Sequence, residues 1–203
     1  MEIRKIMLKY TDVKIVFQEI PDEITLCINL SNCPCHCKGC HSSYLAEDIG
    51  EVLTYCKIQK LLERNKGITA ICFMGGDNDP KLINHYAKLI KESCIEEVEH
   101  TCRVNQLVAL RKGINLKPGD ELLFMKSVPN PIKVAWYSGR QELSKEINTN
   151  NFDYIKLGPY MEECGPLNCR TTNQKFYKVI HTSMGTSKMY DMTHRFWKHE
   201  TED

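Results

Sequence analysis

The sequence predicts an α/β fold with mostly parallel strands, and three observations carry that expectation. Residues 68–74, ITAICFM, form an unbroken apolar run of the kind found in strands covered on both faces. Further β-rich segments at 24–30, 132–137 and 153–157 each lead straight into a cysteine- or glycine-containing turn. Helical periodicity falls between the early strands. Strand, turn and helix repeated this way imply a parallel sheet, either open or closed into a partial barrel.

Taken in order, ITLCINL at 24–30 is the first predicted strand and runs into a cysteine loop. A helix is predicted from about Thr54 to Lys66, with Ile58, Leu61 and Leu62 on one face and Gly67 placed to end it. The strand 68–74 ends in Gly75-Gly76-Asp77. Asp79 can then cap a second helix whose first position suits Pro80, and Leu82, Ile83, Tyr86, Leu89 and Ile90 keep helical spacing. The strands IKVAWY (132–137) and DYIKL (153–157) end at Ser138-Gly139 and Gly158-Pro159. Residues 94–131 fit the rhythm poorly. Pro118-Gly119-Asp120 marks a turn, so an insertion, either an extra βα unit or a hairpin, is expected at about 94–131 within one domain over 1–203.

The 203 residues are 42% hydrophobic and 26% charged, with a formal net charge of +1, enough for a sizeable core and without a global field for nucleic acid or anionic lipid. No run approaches the roughly 20 apolar residues needed to span a bilayer. The first 17 residues are punctuated by charge and lack a signal peptide's apolar segment, so a cytoplasmic protein is expected, with neither membrane nor nucleic acid as partner. Eleven cysteines in such a chain argue for reduced thiols and metal chemistry over disulfides. Most of those outside the loop, such as Cys27 and Cys72, sit singly in apolar context and read as small buried hydrophobes.

Chemistry concentrates in NCPCHCKGCH, 32–41. Cys33, Cys37 and Cys40 have C-x3-C-x2-C spacing, and three thiolates on one loop can hold three corners of a [4Fe–4S] cluster. Because such clusters normally take four cysteines, one iron would stay open to a non-protein ligand. The zinc alternative joins Cys37-x2-Cys40 to Cys164-x4-Cys169 as a four-thiolate structural site in a non-catalytic binding module, and spacing leaves both open. Gly75-Gly76-Asp77 is either a tight turn or a place where Cβ-free backbone and a carboxylate receive an amino-acid moiety. His41 could ligate, but more often such a residue hydrogen-bonds a ligand. Lys156 is either a snorkelling lysine or a polar contact at the strand ends. Phe196 and Trp197 offer either a partner surface or a tail packed on the core.

A C-x3-C-x2-C loop after the first strand, followed by a Gly-Gly-acid strand end, resembles the radical S-adenosylmethionine superfamily. The finer resemblance is to the activating enzymes of anaerobic (class III) ribonucleoside-triphosphate reductase. It rests on YTDVKIVFQEIPDEITLCINLSNCPCHCKGCH (10–41), FMGGDNDP (73–80), VAWYSGR (134–140) and FDYIKLGPYMEECGPLNCRTTNQKFYKV (152–179). Many members of the superfamily place an aromatic residue before the third cysteine; here it is Gly39, as in the reductase activases. Cys35 lies outside the motif and is read as a non-ligand.

What the resemblance implies is a partial (β/α) barrel of the radical S-adenosylmethionine type, with Cys33, Cys37 and Cys40 holding a [4Fe–4S] cluster. The open iron would chelate S-adenosyl-L-methionine, and one electron would cleave its C–S bond. The resulting 5′-deoxyadenosyl radical would take hydrogen from a glycine Cα of the anaerobic reductase, the protein substrate. Gly39, Cys40, His41, Gly75, Gly76, Asp77, Ser138 and Gly158 would line the S-adenosylmethionine site. The resemblance also implies a low-potential electron donor such as flavodoxin or ferredoxin. An enzyme of the same superfamily acting on another peptide or a small molecule is the nearest alternative.

Overall fold

The computed structural model describes residues 7–112, 131–182 and 184–197. Eight strands form one sheet: β1 (Lys9–Val16), β2 (Thr25–Leu30), β3 (Glu51–Val52), β4 (Ala70–Met74), β5 (Lys133–Tyr137), β6 (Tyr154–Leu157), β7 (Lys175–His181) and β8 (Ser187–Asp191). Their spatial order is β3-β1-β2-β4-β5-β6-β7-β8. Two α-helices accompany them among the described residues, α1 (Tyr55–Arg64) and α2 (Pro80–Arg111).

This architecture corrects the expected mostly parallel partial barrel. The centre, β2-β4-β5-β6, is parallel. It is flanked by antiparallel pairings of β1 with β2 and β3, and of β7 with β6 and β8, so four of the seven pairings are antiparallel. Helices α1 and α2 lie in the connections into β4 and β5, whereas β5 reaches β6 through a loop with one short 3-10 turn at Thr149–Asn151. The result is a mixed sheet with β3 and β8 as its edges. The four strands not predicted, β1, β3, β7 and β8, are two-residue or alternating segments with one half-exposed face, such as KFYKVIH in β7. An antiparallel strand can leave one face to water, so no continuous apolar run marks it.

The predicted elements form where local chemistry placed them. Thr54 caps α1 by accepting from the Lys57 amide at 3.2 Å. Asp79 accepts from the Leu82 amide at 3.0 Å, and Pro80 begins α2. That helix continues to Arg111, so the first part of the expected insertion is helical continuation, while Pro118-Gly119-Asp120 lies outside the described residues. No helix among the described residues is long and apolar enough to cross a membrane.

Because side chains alternate along a strand, the sheet has two different faces. Leu26, Ile28, Phe73, Trp136 and Ile155 pack with Ile58 of α1 and Ile83, Ala87 and Ile90 of α2. The opposite face holds smaller groups, with Cys27, Cys72, Ala135 and Tyr154 in register across β2, β4, β5 and β6. Phe176 lies beside Tyr154 and receives Phe196 edge-on at 4.9 Å, so the tail packs on this second core. Lys156, alternating with Ile155 and Leu157 on β6, shares this face, and with Asn29, Met74 and Tyr137 it lines a cavity at the carboxyl ends of the parallel strands.

Candidate functional site

That cavity has a volume of about 530 Å³, within the range of small-molecule sites. Five connections meet at it. The cysteine loop follows β2, and its start is held by Asn32 and Cys33 amides donating to the Glu47 and Leu45 carbonyls at 2.8 and 2.9 Å. Asn32 and His36 sit at φ 58 and 42, so the loop folds tightly enough to turn successive thiols inward. Cys33, Cys35, Cys37 and Cys40 all line the cavity and all remain half-buried.

Of the other residues expected there, His41, Gly75, Asp77, Ser138 and Gly158 line the same cavity. Gly39 and Gly76 do not. Gly39 has φ +76, and a Cβ on it would stand 3.3 Å from the Tyr160 ring, against the segment after β6. A Cβ on Gly76 would stand 2.7 Å from Ile83 and 2.8 Å from Leu30, so its missing side chain serves core packing behind the strand end.

Asp77 is fully buried and already engaged. Its carboxylate accepts from the Ser138 hydroxyl at 2.6 Å and the Gly139 amide at 3.0 Å, with the Cys35 thiol at 3.8 Å. Arg140 places Nε 3.7 Å from the same carboxylate and donates to the Asp77 carbonyl at 3.2 Å. The acid therefore braces β4 to the turn after β5. Ser138 is the brace's donor, and what either offers a ligand is the capacity left over. Trp136 ties the same two ends together by donating from Nε1 to the Gly75 carbonyl at 2.7 Å.

Gly139 and Glu19 were not expected as contributors, and for Lys156 the sequence allows either a snorkelling lysine or a polar contact. A Cβ at Gly139 would fall 2.7 Å from the Cys35 sulfur, so this glycine lets the cysteine loop close onto β5. Glu19, in the β1–β2 connection, lines the cavity, and burial pushes its carboxyl up while His41 and Lys156 pull it back. Lys156 is 9% exposed and donates to the Gly158 carbonyl at 2.9 Å. Burial draws its ammonium down to about 8, against the pull of Cys37, Asp77, Cys35 and Cys40. The only sequence signal for Lys156 was a lysine on the inward phase of DYIKL; for Glu19 and Gly139 there was none beyond their turns.

Gly158 has φ +110, and a Cβ there would lie 3.0 Å from the Gln174 Cα. Gly158→Ala is expected to cost about 1–3 kcal/mol, the scale of a forced backbone conformation, read by chemical denaturation. An unchanged denaturation midpoint would show that this turn relaxes freely.

The thiols differ in character. Hydrogen bonding from Cys35 draws Cys33 down to about 6, and the same contact, together with burial and Asp77, pushes Cys35 well above the ordinary thiol range. Cys35 thus keeps its proton while Cys33 gives it up readily, and metals bind thiolates. Among the described residues no three His, Cys, Asp or Glu side chains are drawn together closely enough to hold one metal ion. A four-thiolate zinc site, with every sulfur about 2.3 Å from the metal, is therefore not assembled from Cys37, Cys40, Cys164 and Cys169. A cubane cluster asks for something different, thiolates spread over separate irons. Cys33, Cys37 and Cys40, lining one cavity with Cys35 turned to Asp77, are the thiols that would take those irons.

No protein-family model matches the chain, and no solved structure matches it. Among curated proteins the chain is similar to Anosmin-1 of Coturnix japonica, 26% identical over 162 residues, covering 66% of this chain. The chain spans 23% of the length of that relative. At that identity and coverage the similarity assigns no family, and the functional reading rests on the cavity's own residues.

Proposed function

We propose that the chain is a cytoplasmic activating enzyme that uses a [4Fe–4S] cluster and S-adenosylmethionine to install a glycyl radical on anaerobic ribonucleotide reductase. The observation that carries it is the meeting of Cys33, Cys37 and Cys40 with Gly75 and Asp77 of the β4 strand end at one ligand-sized cavity. The three cysteines would hold the cluster. The chemistry supplied by a bound cluster is one-electron reductive cleavage of S-adenosylmethionine, whose 5′-deoxyadenosyl fragment takes hydrogen from a glycine Cα.

The chain's own residues hold, shape and shield. Asp77, Ser138 and Gly139 lock two strand ends together, which fixes the wall opposite the cysteine loop. Gly75, at φ +95, has its amide bonded to the Tyr137 carbonyl and its carbonyl to Trp136 Nε1, so what it would offer an approaching amino-acid moiety is a wall without a side chain. Met74, Tyr137 and Leu167 wall the space in which adenosine and the target glycine would meet. Half-buried cysteines leave the mouth open to water, so radical chemistry needs a lid, and a protein substrate docking over it supplies one. A low-potential donor such as flavodoxin or ferredoxin would deliver the electron.

Anaerobic reconstitution with iron and sulfide, followed by mixing with an anaerobic reductase and S-adenosylmethionine, tests the proposal. A glycyl radical signal in electron paramagnetic resonance is expected. Uptake of a single zinc, without visible cluster absorption or cleavage of S-adenosylmethionine, would sink it. Competent cleavage without the glycyl signal would direct the enzyme to a different peptide or small-molecule substrate.

A further inference from the structure

Lys156 stands out as a buried charge without a counter-ion. It is 9% exposed, on the small-residue face of the sheet, and lines the cavity with the four cysteines. Its one hydrogen-bond acceptor among the described residues is the Gly158 carbonyl, which Gln174 also approaches at 3.4 Å. No carboxylate among the described residues lies within ion-pair distance of it. Asp77 faces the same cavity but is taken up by Ser138, Gly139 and Arg140, and Glu19 by burial is a weakened anion. A buried ammonium is costly unless paired. The β6 backbone nevertheless holds this one in register between Tyr137 and Phe176, where an apolar side chain would pack.

We infer that Lys156 is the counter-cation of the cysteine loop: its ammonium offsets the negative charge of a cluster held by Cys33, Cys37 and Cys40 and so sets how easily that cluster is reduced. Three thiolates and a cubane carry net negative charge, and adding an electron increases it. A fixed cation in a poorly solvated cavity favours the more negative state, because Coulomb energy there is several times larger than in water. Net charge and burial are among the levers that set iron–sulfur potentials. Lys156 is on this view a positioning residue, acting through charge on groups it need not touch. The inference rests on the proposed cluster.

The test compares wild type, Lys156→Met and Lys156→Arg after anaerobic reconstitution, by redox titration at pH 7 followed by electron paramagnetic resonance, without S-adenosylmethionine or reductase. Lys156→Met is expected to show about tenfold less reduced cluster at a given solution potential, a shift of 59 mV to lower potential for a one-electron couple. Lys156→Arg is expected to stay with wild type. If Lys156→Met takes up no iron while Lys156→Arg does, the same need for charge is expressed as affinity and the inference stands. An unshifted Lys156→Met overturns it, as does Lys156→Arg behaving like Lys156→Met. A wild-type chain that assembles no cluster overturns the proposed function and this inference together, whereas a wild-type cluster with an unshifted variant removes only the inference.

Discussion

Cys33→Ala, Cys37→Ala and Cys40→Ala are each expected to lose the cluster and all cleavage of S-adenosylmethionine, while Cys35→Ala keeps most of both. Iron and sulfide content after anaerobic reconstitution, with the visible spectrum, checks this. The four thiols occupy one loop and one cavity, so proximity does not separate them. Protonation and partners do. Cys35 packs against Gly139, approaches the Asp77 carboxylate at 3.8 Å, and holds its proton against the neighbouring Cys33. Binding a metal through Cys35 would place a thiolate beside Asp77, a like-charge contact in a poorly solvated site. Cys33, with its lowered thiol, pays no such penalty. Each such variant keeps two motif cysteines and Cys35, which holds its proton beside Asp77 and does not replace the missing ligand, so the losses at 33, 37 and 40 should be near total. If Cys35→Ala abolishes iron uptake while one of the other three variants retains it, the ligand set must be redrawn.

What could be read from the sequence divides along a physical line. The parallel centre was legible because strands buried on both faces are written as apolar runs, as in ITAICFM, and because Thr54, Asp79 and Pro80 start helices by local chemistry. The antiparallel flanks were not. In β7, KFYKVIH, only Phe176 and Val179 are buried, and such a pattern looks like loop or surface until its partner is known. The barrel expectation failed there, since extrapolating from the centre's repeat assumes that every strand is followed by a helix. The site was legible where a motif names its own residues, the cysteine loop and the Gly-Gly-acid strand end. Glu19, Gly139 and Lys156 matter through positions set by three separate connections, which no local pattern encodes. Asp77 shows the same limit from the other side. Its place at the cavity was foreseen, but its occupation by Ser138, Gly139 and Arg140 depends on a strand 61–63 residues away.

Asp77→Ala should therefore act first on the scaffold and only through it on the ligand. Removing the carboxylate leaves the Ser138 hydroxyl, 1% exposed as a residue, and the Gly139 amide without their acceptor. An orphaned buried donor such as the Ser138 hydroxyl costs about 1–3 kcal/mol, and the partly buried Gly139 amide adds less. Arg140 contributes less, because its side chain is half exposed and returns to water. The expected loss is about 3 kcal/mol, or roughly 10 °C in melting temperature for a domain of this size. Asp77→Asn retains one acceptor oxygen for Ser138 and should lose less than half as much. Iron uptake in Asp77→Ala should slow rather than vanish, since Cys33, Cys37 and Cys40 stay on their loop while the wall that Cys35 and Gly139 press against loosens. Thermal melts of the three proteins, set beside the rate of cluster assembly, read both effects. A melting temperature within 2 °C of wild type, an effect below about 1 kcal/mol, would mean that Asp77 does not brace the strand ends. Normal stability with abolished binding of S-adenosylmethionine would instead return this residue to direct contact with the ligand.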